Sequence, residues 1–227
     1  MSAPDIAEKA KKDLRQLLEN NFAQGPSYAA KITQYKSAQS PGIIVVSCCD
    51  SRVPDSCIGI GEPNHAFSIK SIGNQIETTK GSVAYGLSHL TPYLLIVGHT
   101  GCGAIKGASG DFSGENEHIQ HDLSGLVSVI EQTQKKISSS ATDDFKYASF
   151  AQGNVDHQVG MARQLFSHIK GLTVVGGMFD FHNVYGTMSG QLYIVNVNGN
   201  TDANQIMKHP FLDSLPEHMK KERVKRI

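Results

Sequence analysis

The sequence has no tryptophan, no net charge and no long apolar run. Lys+Arg and Asp+Glu balance at 21 each. No basic block interrupts that balance ahead of residue 220, so the electrostatic footprint of a nucleic-acid binder is missing. No stretch approaches the ~18 apolar residues of a spanning helix, and no membrane partner is expected. The opening Met1-Ser2-Ala3-Pro4-Asp5-Ile6-Ala7-Glu8 has no apolar signal core and carries acids early, against a signal or transit peptide. Cysteine is scarce, with four in the chain. Without a secretory signal these thiols are expected to stay reduced, in the cytoplasm. The one dense charge run, Lys220 to Arg226, reads as a solvated helix end or tail.

What remains is enough for a packed core: 39% hydrophobic and 19% charged residues in a chain of 227. A single domain over 1–227 is expected, with a helical arm at 1–38, a core at 39–199 and an extension at 200–227. Ile6, Ala10, Leu14, Leu17 and Leu18 repeat at helical spacing and predict a helix over 4–22. Its apolar stripe must pack on its own domain or on a neighbouring subunit.

Gln39-Ser40-Pro41-Gly42 is a turn. It launches Ile43-Ile44-Val45-Val46, whose unbroken β-branched run predicts a strand covered on both faces. A short strand at 66–70, a helix at 78–90 and a strand at 93–98 follow. Helices are predicted at 117–137 and 144–170. A buried strand at 172–175 and a hairpin from Met178 to Val195, turning at Ser189-Gly190, complete the core. This alternation predicts an α/β fold: a mainly parallel central sheet of about four parallel strands plus an antiparallel edge strand, flanked by helices.

Two of the predicted strands end in residues that carry chemistry. Cys48-Cys49-Asp50-Ser51-Arg52 closes the first, and His99-Thr100-Gly101-Cys102 closes the strand at 93–98. The carboxyl ends of parallel strands are where α/β proteins bind ligands. Cys48, His99 and Cys102 are three zinc-type donors, the number a catalytic site uses while leaving a fourth position for water. A cysteine at a strand end is usually a small buried hydrophobe, and His-x-x-Cys alone arises by chance. Both halves ending buried strands, one with an Asp–Arg pair at fixed offset, form a far more specific pattern. Gly98, Gly101 and Gly103 surround the second half, where backbone must approach something closely.

Cys-x-Asp-x-Arg followed by His-x-x-Cys resembles the signature of the β-carbonic anhydrases. The flanking text agrees, with Cys-Cys-Asp-Ser-Arg-Val at 48–53 and Gly-His-Thr-Gly-Cys-Gly-Ala-Ile at 98–105. The resemblance runs from about Gln39 to about Asn196. It implies one Zn2+ per subunit on Cys48, His99 and Cys102. It implies reversible hydration of CO2 to bicarbonate and a proton by zinc-bound hydroxide, in a homodimer or dimer of dimers. Asp50 would accept a hydrogen bond from the nucleophile, and Arg52 would hold Asp50. Gln39 matches an amide that helps bind substrate, often across the subunit boundary. Phe67, Ile72 and Tyr85 match the lining of the apolar CO2 pocket, and Gly103 is grouped with these substrate-binding positions.

The chain also departs from its relatives. They commonly carry Arg-Asn where this sequence has Lys70-Ser71, and lysine lacks arginine's two-armed fork. An allosteric bacterial subgroup builds a bicarbonate pocket on a tryptophan where this chain has Val45, so that regulation is not expected. Two thiolates and a neutral imidazole leave zinc formally uncharged. The bound water should therefore ionise at higher pH than in a three-histidine site, with activity rising above neutral. Carbonyl sulfide or carbon disulfide hydrolysis on the same scaffold is the near alternative, and a non-catalytic zinc-binding paralogue the distant one. The lack of Cys-x-x-Cys argues against a redox thiol protein. Cys49 is expected to be buried and turned away from Cys48, and Cys57 to be a plain thiol. His118 and His121 read as polar surface. His157 and His182 are candidates for a role near the site, such as proton relay.

Overall fold

Ile43-Ile44-Val45-Val46 can be β-branched throughout because both faces of its strand are covered. In a computed structural model, which describes residues 3–227, Ile44, Val46 and Cys48 face one apolar cluster, while Val45 faces a second one on the other side of the sheet. That strand, β1 (Ile43–Cys48), lies inside a five-stranded sheet with β2 (Ala66–Ser71), β3 (Tyr93–His99), β4 (Thr173–Asp180) and β5 (Gln191–Val197). The spatial order is β2-β1-β3-β4-β5. β2, β1, β3 and β4 run parallel, and β5 pairs antiparallel with β4 at the edge. This is the expected α/β sheet.

The helices are α1 (Ala3–Thr33), α2 (Lys80–His89), α3 (Gly103–Ala108), α4 (Glu117–Gln134), α5 (Asp143–Leu165), α6 (Ala203–Met207) and α7 (Glu217–Arg223). One sheet face packs on α2 through Val83 and Leu87, on α3 through Ile105, on α4 through Leu126 and on α5 through Phe150, Val155 and Val159. The caps of α4 and α5 are read from side chains: Asn116 accepts from the His118 amide and Thr142 from the Phe145 amide.

The residues from 172 to 185 form a different pattern from the two predicted pieces. A single strand, β4, runs unbroken through Gly176-Gly177, with a register shift against β5 at that point. A Cβ at Gly176 would lie 2.7 Å from Val155 of α5, so this glycine lets the helix close on the sheet rather than ending the strand.

The chain divides into two compact units, 1–40 and 41–227. In the first, α1 is longer than the predicted 4–22 and continues past Gly25-Pro26. Arg15 pairs with Glu19 at 2.8 Å, and Lys9 pairs with Asp13, at i,i+4 spacing. No described residue of α1 is buried, and Leu14, Leu17, Leu18 and Phe22 stand exposed.

In the second unit the C-terminal charge run is not a solvated tail. Lys220 is buried and pairs with Glu217 at 3.0 Å, Val224 bridges to Ile194 of β5, and Arg226 reaches Asp156 of α5 at 2.7 Å. Val224, Ile206 and Leu212 share an apolar cluster with Val175 and Val197. That apolar contact explains why the run docks despite its charge. No helix among the described residues is long and apolar enough to cross a membrane.

Candidate metal centre

Parallel pairing of Ile44–Ser47 with Leu94–Val97 sets the ends of β1 and β3 side by side. Cys48 and His99 therefore emerge together. Gly101, at φ +66°, turns the chain back so that Cys102 sits at the start of α3. All three side chains are buried, and their donor atoms lie within 4.8 Å of one another.

The two Sγ atoms are 4.0 Å apart, too far for a disulfide and suited to two thiolates on one ion. The His99 Nδ1–H donates to the Thr100 carbonyl at 3.0 Å. That bond leaves the lone pair on Nε2, which is buried with no hydrogen-bond partner. A buried orphaned acceptor is costly in an apolar core, and a metal ion between it and two sulfurs would satisfy it.

The electrostatics agree. The Cys48 thiol is drawn down to about 4, first by the hydrogen bond from Cys102, with burial opposing and His99 assisting. Cys102 is pushed up, chiefly by Cys48. The pair thus ionises once with ease and holds its second proton until a cation replaces it.

Asp50 lies in the loop after β1, with Oδ2 3.9 Å from His99 Nε2. Arg52 grips it with Nε to Oδ1 at 2.9 Å and Nη2 to Oδ2 at 2.7 Å, and the Arg52 amide donates to Oδ1 at 2.9 Å. The side-chain bonds from Arg52 hold the Asp50 carboxyl at about 2. The same guanidinium reaches the Gly101 carbonyl at 3.0 Å and lies 5.0 Å over the Phe181 ring. One side chain thus ties the first motif to the second.

A family model described as carbonic anhydrase matches residues 43–192. The chain belongs to the β-carbonic anhydrase family. Among curated relatives, β-carbonic anhydrase 5 (chloroplastic) of Arabidopsis thaliana is 23% identical over 144 residues, covering 58% of this chain and 48% of that protein. β-Carbonic anhydrase 3 of the same plant is 29% identical over 112 residues, 45% and 42% of the two chains. The chain matches about half the length of these relatives. Among solved structures, a β-carbonic anhydrase of Aspergillus fumigatus superposes with TM-score 0.69 at 21% identity, over 88% of this chain and 96% of that one. A tetrameric β-carbonic anhydrase of Sordaria macrospora gives 0.66 at 21% identity, over 85% and 98%.

The other expected site residues fall in different places along the chain. Ile72 follows β2 at the level of Cys48, which pairs with Ser71, and packs half-buried on the apolar cluster that includes Cys48 and Cys102. Gly103 begins α3, next to Cys102. Phe67 and Tyr85 pack on each other, with ring centroids 5.8 Å apart. Phe67 pairs with Ile44, four residues before Cys48, or about 13 Å back along the strand. Gln39 belongs to the 1–40 unit. Lys70, in place of the usual arginine, donates to the Val53 carbonyl at 2.8 Å and pairs with Asp55 at 2.8 Å. Its charge braces the loop that carries Asp50.

Cys49 is exposed rather than buried, because β1 ends at Cys48 and strand alternation stops there. His118 and His121 are exposed as expected, and Cys57 is a free, exposed thiol. His157 lies at the surface of α5, with enough of its ring shielded for desolvation to lower its pKa. His182 does approach the site: its ring covers Gly101, and its Nδ1 is 2.9 Å from the Thr100 hydroxyl. Two residues near the ligands escaped the sequence reading, Thr100 and Asp180, both wholly buried. The available signal was an acid closing a buried strand, Met178-Phe179-Asp180, at the same end of the sheet as the ligands.

Proposed function

We propose that this member of the β-carbonic anhydrase family is a zinc-dependent carbonate dehydratase that interconverts CO2 with bicarbonate and a proton. The observation that carries the reading is the pairing of an unpartnered, buried His99 Nε2 with a locked, ionised carboxylate 3.9 Å away. A structural zinc site would need the three donors and a fourth ligand. It would have no use for Asp50 held in one pose by three bonds from Arg52.

Two cysteines and a histidine form a donor set suited to zinc. Zinc held there would supply an activated water as the nucleophile for CO2. Asp50, acceptor-only when ionised, orients that nucleophile by taking its remaining proton in a hydrogen bond. Arg52 removes the rotational freedom of the carboxylate and ties it to the Gly101 carbonyl. Ile72 offers an apolar surface at the ligand end of the sheet for a linear, uncharged substrate. By their likeness to the family, Phe67 and Tyr85 are proposed as apolar groups facing CO2 in the assembled protein, and Gln39 as a substrate-binding amide.

We assign the assembly to a homodimer or dimer of dimers, supported by the exposed apolar stripe of α1. The cytoplasm is the proposed compartment.

The test is stopped-flow CO2 hydration by zinc-replete protein, with carbonyl sulfide run alongside. Turnover of CO2 is expected. Turnover of carbonyl sulfide alone would reassign the substrate, and zinc-loaded protein inert toward both would make the centre non-catalytic.

A further inference from the structure

Asp180 closes β4 with no accessible surface, and among the described residues it forms no ion pair. Carboxylates are almost never buried this way without a partner. Three donors surround it instead: the Thr100 hydroxyl at 3.3 Å, the His182 amide at 2.9 Å and the Tyr185 amide at 2.9 Å. One of these is attached to the residue that directs a metal ligand.

Thr100 is held at every polar atom. Its amide donates to the Phe179 carbonyl at 3.0 Å. Its hydroxyl has one proton and two lone pairs. The proton goes to Asp180. The lone pairs take the Phe181 amide at 2.7 Å and the Nδ1–H of His182 at 2.9 Å. The hydroxyl is then saturated. Its carbonyl is left to receive the Nδ1–H of His99 at 3.0 Å, the bond that places the lone pair of His99 on Nε2. A metal-binding histidine is aimed by the group its other nitrogen meets. Here that group is a backbone carbonyl, which can aim a ring only as well as its own residue is held.

We propose that Asp180, acting through Thr100, is the positioning residue that fixes the orientation and tautomer of His99 for the metal. Asp180 and Thr100 touch no ligand donor atom. They set metal affinity by removing the freedom of the Thr100 peptide. The surrounding contacts fit this role, since the His182 ring covers Gly101, where an added Cβ would lie 2.5 Å from its Cε1. The loop between the two ligands is therefore closed from outside by the same cluster.

The inference rests on the metal-centre reading, and its test measures binding rather than turnover. Zinc affinity is measured by competition with a chromophoric chelator, with the visible spectrum of the cobalt(II) form, on wild type, Thr100→Val, Thr100→Ser and Asp180→Asn. Thr100→Val and Asp180→Asn are expected to weaken zinc binding by roughly 10- to 100-fold and to shift the cobalt spectrum. Thr100→Ser, which keeps the hydroxyl, is expected to restore both. Thermal unfolding of the metal-free proteins separates a general loss of stability from a loss of affinity. A lowered Tm with wild-type affinity and spectrum in the variants overturns the proposal. Should Thr100→Val fail to fold, Asp180→Asn against Thr100→Ser decides it. A wild type that binds zinc but leaves CO2 unhydrated would sink the catalytic reading and leave this comparison standing.

Discussion

Arg52 holds Asp50 from two residues away, with bonds of 2.9 and 2.7 Å to its two carboxylate oxygens, while spanning to Gly101 at 3.0 Å. The arrangement converts a surface-facing arginine into a fixed link between the two ligand loops. It also keeps Asp50 ionised across the working pH range.

Replacing Asp50 by Asn should remove most CO2 hydration while zinc stays bound. Asparagine keeps the shape but presents a donor where the nucleophile needs an acceptor. Metal content by atomic absorption, beside stopped-flow turnover, separates the two effects; unchanged turnover with full zinc would refute the orienting role.

Asp50 also makes a signed prediction about pH. Its folded pKa, about 2, lies below the ordinary aspartate value of about 3.9. The stabilisation it contributes is therefore complete above about 3.9 and is lost as pH falls through about 2. Loss of activity between pH 7 and 5 should be the same in wild type and Arg52→Lys once rates are normalised. A shift of that acid limb in the variant would show that Asp50 titrates there.

Metal removal with a chelator should abolish hydration, and added zinc should restore it. Affinity should fall on acidification because protons compete for Cys48, His99 and Cys102. Activity should rise above neutral pH, since two thiolates leave less positive charge to ionise a bound water than three imidazoles would. A rate profile centred well below neutral contradicts this.

Gly176→Ala should destabilise the fold by about 1–3 kcal/mol. The new Cβ would sit 2.7 Å from Val155 and 3.0 Å from Asn196, on the seam between α5 and β4. Denaturant unfolding measures the change; an unaltered midpoint would mean that α5 can retreat freely.

Charging the α1 stripe with Leu14→Glu and Leu17→Glu should shift the protein toward smaller species in sedimentation velocity. Both residues are exposed in the single chain, at 59% and 60%, so their substitution should leave the core intact. An unchanged sedimentation coefficient would remove α1 from the assembly surface.

Much of this protein can be read in one dimension. The β-branched run at 43–46 and the run at 94–97 announce buried parallel strands. The residues that end them, Cys48 and His99, are local in sequence to those strands, so a metal triad at the carboxyl edge follows. What lies beyond local spacing does not. The register of β2 against β1 separates Phe67 from Cys48 by four residue steps. Cys49 faces solvent because the strand stops one residue earlier, and Lys220 to Arg226 dock because Val224 joins an apolar cluster with Val175 of β4 and Val197 of β5. The least visible feature is the link from Asp180 through Thr100 to His99. Its members are 80 residues apart, and nothing about an isolated Asp or Thr reveals a partner. Sequence alone determined which atoms could bind a metal, because donor chemistry belongs to residue type. Only the tertiary structure decided how those donors are aimed, because aim depends on hydrogen bonds made across the sheet when β3 and β4 pair.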